Sequence, residues 1–243
     1  MEESKSKPII GVTTAWSIET WGDSLEGGYY YVGKPYVEAV AKCGGIPLLI
    51  APEYDLSTLD DTINNILDTV DGLLFSGGGD SKKNSGKSIS GLREQQPKRY
   101  DFEAELLTKA RGKGMPILGI CRGFQMIVEV FGGKLSNELV ENHKQNIFGS
   151  NPWHKVQINK ESKLYDVLKK EIWDVNSFHV QKAEKPPENF IISVISDDGV
   201  IEGVEAIEDP FLAGFQFHPE ELMWRDQEAE KIFKWFIKSC TNK

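Results

Sequence analysis

The sequence predicts an α/β fold in which a mainly parallel sheet is covered by helices on both faces. In the first half of the chain, short segments that are continuously apolar alternate with longer segments whose apolar residues recur at helical spacing. Strands that are apolar throughout are buried on both faces, and the helices between them act as crossovers of a parallel sheet. The predicted strands are residues 8–14, 46–50, 71–75 and 116–120, and the predicted helices are residues 34–43, 56–69, 101–111 and 122–131.

The second half of the chain predicts additional strands attached to the same core. These are residues 153–159, 190–195, 199–207 and 212–218, and Asp-Gly and Asp-Pro turn signals separate some of them. The sequence contains no clear linker between the two halves. We therefore expect a disordered tail at residues 1–7, a single domain over residues 8–243 and a polar loop at residues 80–99.

Composition and charge exclude several classes of protein. The chain has 28 Lys and Arg against 37 Asp and Glu, a net charge of −9, which is poorly suited to nucleic acid or to an anionic membrane surface. Its three cysteines lack a C-x-x-C spacing, which argues against a disulfide framework and a zinc ribbon. Because the sequence has neither a signal-peptide pattern nor a long apolar run, we expect a soluble, cytoplasmic protein.

A glycine-flanked cysteine lies where a predicted strand meets a predicted helix. Residues 119–123 are Gly-Ile-Cys-Arg-Gly, with Cys121 at the centre. A sharp strand-to-helix turn exposes the central side chain at the end of a sheet, as in the G-x-S-x-G nucleophile elbow. The helix N-terminus favours a thiolate at Cys121, and the N–H of Arg122 can bind an oxyanion beside it. Cys43 and Cys240 lack this setting, so we interpret both as structural.

A histidine and a glutamate near the C-terminus provide the acid and base that such a cysteine needs. Residues 214–220 are Gly-Phe-Gln-Phe-His-Pro-Glu. Pro219 keeps His218 out of the α region, and in an extended chain His218 and Glu220 point the same way. Glu220 can then accept a hydrogen bond from one ring nitrogen of His218, while the other nitrogen faces the thiol.

A glycine-rich loop follows the predicted third strand. Ser76-Gly77-Gly78-Gly79 can approach a ligand closely and present backbone N–H groups at the sheet edge that carries Cys121. Gly86-Lys87-Ser88 ends like a phosphate-binding loop, but the first glycine of that motif is replaced by Ser81. The polar loop and its flanks contain several cations, which have two interpretations: recognition of an anionic leaving group, or an ordinary solvated surface. These residues are Lys82, Lys83, Lys87, Arg93 and Arg99. Two histidines are predicted to lie at the surface, His143 and His154.

Together these residues resemble the class I glutamine amidotransferase superfamily, and most closely its γ-glutamyl-γ-aminobutyrate hydrolase-like (peptidase C26) branch. The resemblance extends over most of the chain. Arg99–Glu103 resembles that branch's R-D-x-x-E region with one residue inserted. The motifs that carry the resemblance are GICRGFQ (119–125), FGGKL (131–135), VNSFHVQ (175–181), DGVIEGVEA (198–206) and GFQFHPE (214–220).

The resemblance implies a flavodoxin-like fold and assigns roles to individual residues. It implies a catalytic triad of Cys121, His218 and Glu220, and an oxyanion hole formed by the N–H groups of Gly78 and Arg122. It also implies a pocket for the amino-acid end of a γ-glutamyl group, with Gln125 as a ligand and with Ser177, Phe178 and His179 in its lining.

The chain departs from this branch at two places. The branch usually follows G-G-G-D with Val, Pro and Tyr-Gly-Glu, whereas this chain continues from Ser81 with Ser-Lys-Lys-Asn-Ser-Gly. It also usually has Asn-Val shortly after the elbow, where this chain has Val128-Glu129. Neither change touches the triad, but the first leaves the specificity for the leaving group open.

The activity that these residues predict is cysteine-dependent hydrolysis of γ-glutamyl amides. A γ-glutamyl thioester would form on Cys121, glutamate and an amine would be released, and no metal or organic cofactor would be needed. The substrate would be a small molecule, and the protein could be a homodimer. One alternative is a glutaminase subunit that delivers ammonia to a synthetase partner, and another is a non-catalytic binding protein on the same fold. The amine half of the substrate cannot be read from the sequence.

Overall fold

A large mixed sheet organises the molecule. The computed structural model describes residues 6–21, 25–52, 55, 57–79, 96–208 and 211–241. The strands are β1 (Ile9–Thr13), β2 (Ala15–Trp21), β3 (Leu25–Tyr31), β4 (Ile46–Ile50), β5 (Gly72–Phe75), β6 (Ile117–Ile120), β7 (Lys134–Leu135), β8 (His154–Ile158), β9 (Ile172–Val175), β10 (Ala183–Lys185), β11 (Phe190–Ser196), β12 (Ile201–Ala206) and β13 (Leu212–Phe215). The helices are α1 (Lys34–Lys42), α2 (Leu59–Thr69), α3 (Pro97–Gly112), α4 (Arg122–Val130), α5 (Lys163–Leu168), α6 (Pro219–Leu222) and α7 (Gln227–Ser239).

Five parallel strands form the part of the sheet that carries the candidate site. Their order is β4-β1-β5-β6-β13, and each neighbouring pair is parallel. Numbered along the chain, these strands have the order 2-1-3-4-5 of flavodoxin-like sheets, in which ligands bind beyond the carboxyl ends of the strands. The predicted α/β fold with a parallel core is therefore confirmed.

The C-terminal strands extend this sheet with antiparallel pairs. The order continues from β13 through β12, β11 and β8 to β9, and β10 pairs with both β12 and β7. The prediction of additional strands in the second half is therefore also confirmed. The extension brings β12 and the segments around β8 and β9 beside the parallel strands.

Two apolar cores cover the two faces of the sheet. One contains buried side chains from α1, α5 and α7, and the other contains side chains from α2, α3 and α4. Successive side chains of a strand pack in opposite cores; for example, Leu73 packs in one core and Leu74 in the other. No helix in the described ranges combines the length and the apolarity needed to cross a membrane.

Several elements differ from the sequence-based prediction. The hairpin of β2 and β3 is absent from that prediction, and so are α5, β9 and α7. Helix α3 begins at Pro97, so the predicted loop is wrong for residues 97–99, while residues 80–95 lie outside the described residues. Most of the predicted tail, residues 1–5, also lies outside them. The single domain over residues 8–243 stays a prediction.

Candidate active site

Cys121 occupies a strained turn between β6 and α4. Its backbone has φ 54° and ψ −102°, outside the regions that L-residues ordinarily adopt, and it is the N-terminal cap residue of α4. The N–H of Cys121 donates to Phe215 O at 2.7 Å, which ties the turn to the end of β13. Because strain of this kind persists only when the surrounding structure enforces it, the turn is a feature built into the fold.

The two glycines that flank Cys121 allow the turn to pack. A side chain at Gly123 would place its Cβ 2.1 Å from Phe75 O, and one at Gly119 would place its Cβ 2.6 Å from Gly123 backbone atoms. Any larger residue at either position would therefore push α4 away from β5 and β6. The G-x-C-x-G pattern is therefore required by close backbone approach.

The strain at Cys121 has a measurable effect on stability. We expect Cys121→Gly to have a free energy of unfolding equal to or about 1 kcal/mol above that of Cys121→Ala, because only glycine adopts positive φ without a steric cost. At an ordinary helical position alanine is more stable than glycine. Ala104→Gly in α3 should therefore lower the free energy of unfolding by about 1 kcal/mol relative to wild type. Urea denaturation of the three variants tests this, and an alanine variant at residue 121 that is clearly the more stable would contradict it.

His218 and Glu220 lie beside this turn, and their side chains are in contact. His218 Nδ1 is 2.6 Å from Glu220 Oε1, and the side chain of Glu220 is 1% exposed. The predicted extended chain is wrong here, because Pro219–Leu222 is a short helix and His218 is its cap, with φ −112° and ψ 82°. The proline keeps His218 out of the α region, and Glu220 reaches its ring from the first turn of α6.

The electrostatic surroundings of His218 favour the imidazolium form. Burial alone would lower its pKa, but the Glu220 carboxylate and the hydrogen-bonded sulfur of Cys121 together raise that pKa well above its ordinary value. The His218 side chain is still 14% exposed, so a ligand can reach it. A charged imidazole next to the sulfur is the arrangement in which a cysteine acts as a thiolate.

Two residues that the sequence analysis did not identify fix the position of His218. Asn176 accepts from His218 N at 2.7 Å and donates to His218 O at 2.9 Å, so one side chain holds both backbone groups. The hydroxyl of Tyr36 lies 3.3 Å from His218 Nδ1 and accepts from Gly77 N at 2.9 Å. Asn176 belongs to the VNSFHVQ motif, which could have identified it. Tyr36 gave no such signal, because an aromatic residue on the buried face of a helix is an ordinary core residue.

The glycine loop after β5 lies against Cys121 and His218. A Cβ at Gly77 would be 3.2 Å from His218 Cε1 and 3.4 Å from Cys121 Cβ, so the loop forms one wall of the site. Gly78 and Gly79 have φ values of 104° and 68°, which favour glycine. The sequence analysis correctly placed this loop on the sheet edge that carries the elbow.

A buried ion cluster connects the glycine loop to the elbow. Arg99 donates to the carbonyl oxygens of Ser76, Gly77 and Gly78 at 3.1–3.3 Å. Its Nε donates to Glu103 Oε1 at 2.8 Å, and Arg122 Nη1 donates to Glu103 Oε2. All three charged side chains are buried.

This cluster corrects one interpretation from the sequence. Arg99 is a candidate ligand for an anionic leaving group by sequence, but its guanidinium is fully buried and bonded to protein groups. The other cations in that interpretation, Lys82, Lys83, Lys87 and Arg93, lie outside the described residues. The R-D-x-x-E-like segment therefore braces the loop and the elbow from within.

The predicted pocket residues take different positions. Gln125, one helical turn after Cys121, is buried and donates from Nε2 to Gln216 Oε1 at 3.3 Å. The ring of Phe178 packs edge-on against His218, with centroids 5.6 Å apart. Ser177 is held by its neighbours: its N–H donates to Gln145 Oε1 and its hydroxyl to His143 O, both at 2.7 Å.

His179 points into a group of buried side chains away from His218. We call the four residues His143, His154, His179 and Glu202 the histidine cluster. The prediction that His143 and His154 lie at the surface is wrong, because His143 is 2% exposed and the His154 side chain is 18% exposed. The fold buries them by bringing the loop after β7 and the start of β8 against β12.

Two solved structures have a fold similar to that of this chain. The structure of a Thermoplasma acidophilum protein described as a subunit of GMP synthase has a TM-score of 0.62 at 21% identity and covers 96% of this chain and 94% of its own. A glutamine amidotransferase from Methylobacillus flagellatus has a TM-score of 0.61 at 13% identity, with 96% and 95% covered. At these identities the likeness concerns the fold alone.

Sequence comparison identifies the family. Residues 8–220 match the peptidase C26 family, and the chain belongs to it. A Schizosaccharomyces pombe protein that its name places among the glutamine amidotransferases is 32% identical over 88% of this chain and 84% of its own length. The γ-glutamyl-γ-aminobutyrate hydrolase PuuD of Escherichia coli K12 is 27% identical, over 99% of this chain and 96% of its own. The predicted enzyme class, a hydrolase that acts on amide bonds, is therefore confirmed.

Proposed function

We propose that this protein hydrolyses γ-glutamyl amides of small amines, with Cys121 as nucleophile, His218 as acid and base, and Glu220 as the residue that orients His218. The observation that carries the proposal is the strained Cys121 at a helix N-terminus, next to a histidine whose Nδ1 lies 2.6 Å from a buried glutamate. Nucleophile, base and orienting carboxylate in this arrangement are the parts of an acyl-transfer triad. The name of the Escherichia coli relative supports the γ-glutamyl part of the proposal.

The reaction proceeds in two stages. The thiolate of Cys121 attacks the γ-carbonyl carbon, and the resulting oxyanion is bound by backbone N–H groups. His218 then protonates the amine nitrogen, the C–N bond breaks, and a γ-glutamyl thioester remains on Cys121. In the second stage His218 takes a proton from water, the water oxygen attacks the thioester, and glutamate leaves.

Two backbone N–H groups form the proposed oxyanion hole. The N–H of Arg122 lies in the first turn of α4, where N–H groups have no partner within the helix. The N–H of Gly77 donates to Tyr36, and we assign the second donor to Gly78, as the family resemblance implies. Arg99 holds the Gly77 carbonyl, and the N–H of Gly78 in the same trans peptide points the opposite way, away from Arg99.

The proposed substrate pocket is formed by Gln125 and Phe178. Gln125 can contact the amino-acid end of the γ-glutamyl group, and Phe178 closes the pocket beside His218. We assign Ser177 and His179 a supporting role. The polar groups of Ser177 are already occupied by hydrogen bonds to neighbouring segments, and the side chain of His179 faces the histidine cluster.

A substrate screen tests the proposal. The purified protein would be incubated with a panel of γ-glutamyl amides and with glutamine, and glutamate release would be measured against the Cys121→Ala variant as background. We expect kcat/KM for at least one γ-glutamyl amide to exceed that for glutamine. A preference for glutamine would instead favour a glutaminase that supplies ammonia to a partner. Failure to hydrolyse any member of the panel would contradict both.

The pH dependence of the reaction gives a prediction about Glu220. His218 must be protonated to act on the leaving amine, so kcat/KM falls as pH rises through the raised pKa of His218. Glu220→Gln removes the carboxylate that raises this pKa, and we expect the alkaline limb to move to lower pH, with kcat reduced about 100-fold or more. Glu221→Gln is the matched control one residue away. An unchanged alkaline limb in Glu220→Gln would show that Glu220 does not set the pKa of His218.

A further inference from the structure

The histidine cluster brings four metal-binding side chains to one buried point. His143 Nδ1, His154 Nε2 and His179 Nε2 lie 3.0, 3.6 and 3.3 Å from Glu202 Oε1, and His143 Nδ1 is 3.1 Å from His179 Nε2. The residues come from the loop after β7, the start of β8, the loop after β9, and β12. Glu202 and His179 are fully buried.

His143 Nδ1 and His179 Nε2 form a hydrogen bond, but the contacts with Glu202 do not have the directions of hydrogen bonds. Within the described part of the chain, neither carboxylate oxygen of Glu202 and neither ring nitrogen of His154 has a hydrogen-bond partner. Buried polar atoms without partners are rare in folded proteins because each one costs free energy. The unpartnered oxygens of Glu202 and the unpartnered nitrogens of His154 are arranged to share a common ligand with His143.

The outer nitrogens of two of the histidines are already occupied. His143 Nε2 is 3.1 Å from Asp198 Oδ2, and His179 Nδ1 is 2.9 Å from Gln181 O. Oxygen acceptors on the outer nitrogen keep the proton there and leave the inner nitrogen as a lone-pair donor. Metal-bound histidines in proteins are oriented in this way by carboxylates and carbonyls.

We propose that His143, His154 and Glu202 bind one divalent transition-metal ion, and that Zn²⁺ fits this donor set best. Tetrahedral Zn²⁺ with bonds of about 2.0–2.1 Å separates neighbouring donor atoms by about 3.3 Å. The ligand atoms of the three residues all lie within 4.8 Å of one another, and the two imidazole contacts with Glu202 Oε1 are 3.0 and 3.6 Å long. Imidazole donors disfavour Mg²⁺ and Ca²⁺, which prefer oxygen. The two positive charges of the bound ion would be balanced by the carboxylate of Glu202 and by that of Asp198, on the far side of His143.

The proposed role of the ion is structural. His143, His154 and Glu202 come from three segments that are distant in sequence, and an ion bound to all three would join them. His179, whose Nε2 is 3.1 Å from His143 Nδ1, directly follows Phe178, whose ring packs on His218. Metal binding would therefore stabilise the wall of the proposed active site without taking part in the reaction.

The test measures metal content and thermal stability of untagged protein. After incubation with a small excess of ZnSO₄ and desalting, we expect about one zinc per chain by elemental analysis. A strong chelator should lower Tm by roughly 5–10 °C, and zinc should restore it. With Co²⁺ in place of Zn²⁺, the visible spectrum should show the intense bands of tetrahedral coordination.

Variants connect these readouts to the cluster. His154→Ala and Glu202→Gln should retain no zinc after desalting and should no longer respond to the chelator. Should either variant fold poorly, Asp198→Asn provides a milder change: its carboxylate contacts the outer nitrogen of His143 and the Ser196 hydroxyl, and zinc affinity should fall 10–100-fold. Asp197→Asn removes the same charge next to it and should leave zinc affinity unchanged.

The proposal is overturned if wild-type protein retains no zinc, or if His154→Ala and Glu202→Gln retain as much zinc as wild type. Either result would mean that the cluster is a metal-free carboxylate–histidine network, or that zinc binds elsewhere. A zinc affinity that falls equally in Asp197→Asn and Asp198→Asn would also contradict the assigned geometry.

Discussion

Cys121→Ala is expected to reduce kcat for γ-glutamyl amide hydrolysis on the order of 10⁴-fold or more, while leaving the protein folded. Loss of a covalent nucleophile removes the whole thioester route, and backbone N–H groups and binding provide only the residual rate. The variant keeps the Cβ atom and therefore the same backbone strain at φ 54°. Only the sulfur is lost, so the free energy of unfolding should change little.

The other two cysteines are matched controls for this prediction. Cys43 is half-buried at the end of α1, and Cys240 is buried at the end of α7. Burial and the neighbouring Glu230 raise the pKa of the Cys43 thiol to about 11, so this cysteine is a poor nucleophile near neutral pH. Cys43→Ala and Cys240→Ala should keep kcat within about twofold of wild type. Near-wild-type activity in Cys121→Ala would contradict the proposed mechanism.

Glu103→Ala is expected to lower the free energy of unfolding by about 3–5 kcal/mol. The carboxylate lies between the guanidinium groups of Arg99 and Arg122, and its removal leaves two buried cations without a counter-charge. Arg99 also bonds to three carbonyl groups of the glycine loop, so the same change should disturb the proposed oxyanion hole and reduce kcat. Denaturation curves measure the first effect, and initial rates measure the second.

The pH dependence of stability provides a second readout of this cluster. Although burial opposes it, Arg122 and Arg99 lower the pKa of Glu103 below its ordinary value. The stabilisation is therefore present above the unfolded pKa of about 4.3 and is lost as pH falls through the lower folded value. In Glu103→Ala this acid-dependent part should be absent.

Glu105→Ala, two residues along the same helix, is the matched control for Glu103. Its side chain is 44% exposed and lies 4.0 Å from Lys109, so its removal should change stability by less than about 0.5 kcal/mol. If Glu103→Ala lowered the free energy of unfolding by less than about 1 kcal/mol, the two buried arginines would not need the Glu103 carboxylate as a counter-charge.

The parallel half of the sheet could be predicted because its signals are local. Strand β6 is predicted at residues 116–120 and observed, fully buried, at Ile117–Ile120, since a short apolar run marks a buried strand. The edge strand β4 is observed at the predicted residues 46–50, but Ile46, Leu48 and Leu49 are exposed. The elbow is predictable for a similar reason: Gly119 and Gly123 are needed where two backbones nearly touch. The glycine pattern in the sequence directly reflects this packing constraint.

Some elements are missing from the prediction although a signal is present. Helix α7 buries Ala229, Ile232, Phe233, Phe236 and Ile237, which recur at helical spacing and could have been recognised. The short helix α6 is wrongly predicted as extended chain, because a proline after His218 is compatible with both a strand end and the first turn of a helix.

The buried polar groups could not be predicted from the sequence. His143, His154, His179 and Glu202 are polar residues far apart along the chain, and only the pairing of the antiparallel strands brings them together. Local hydropathy assigns such residues to the surface, since charged and imidazole side chains are buried only when partners from elsewhere in the chain satisfy them.

Active-site labelling with a glutamine-like diazo-ketone tests the central claim most directly. The reagent occupies a γ-glutamyl site and alkylates the nucleophile there, and peptide mass spectrometry identifies the modified residue. We expect stoichiometric labelling of Cys121, protection by a γ-glutamyl amide substrate, and no labelling of Cys43 or Cys240. An unlabelled Cys121, or equal labelling of all three cysteines, would contradict the assignment of Cys121 as the nucleophile of a γ-glutamyl hydrolase.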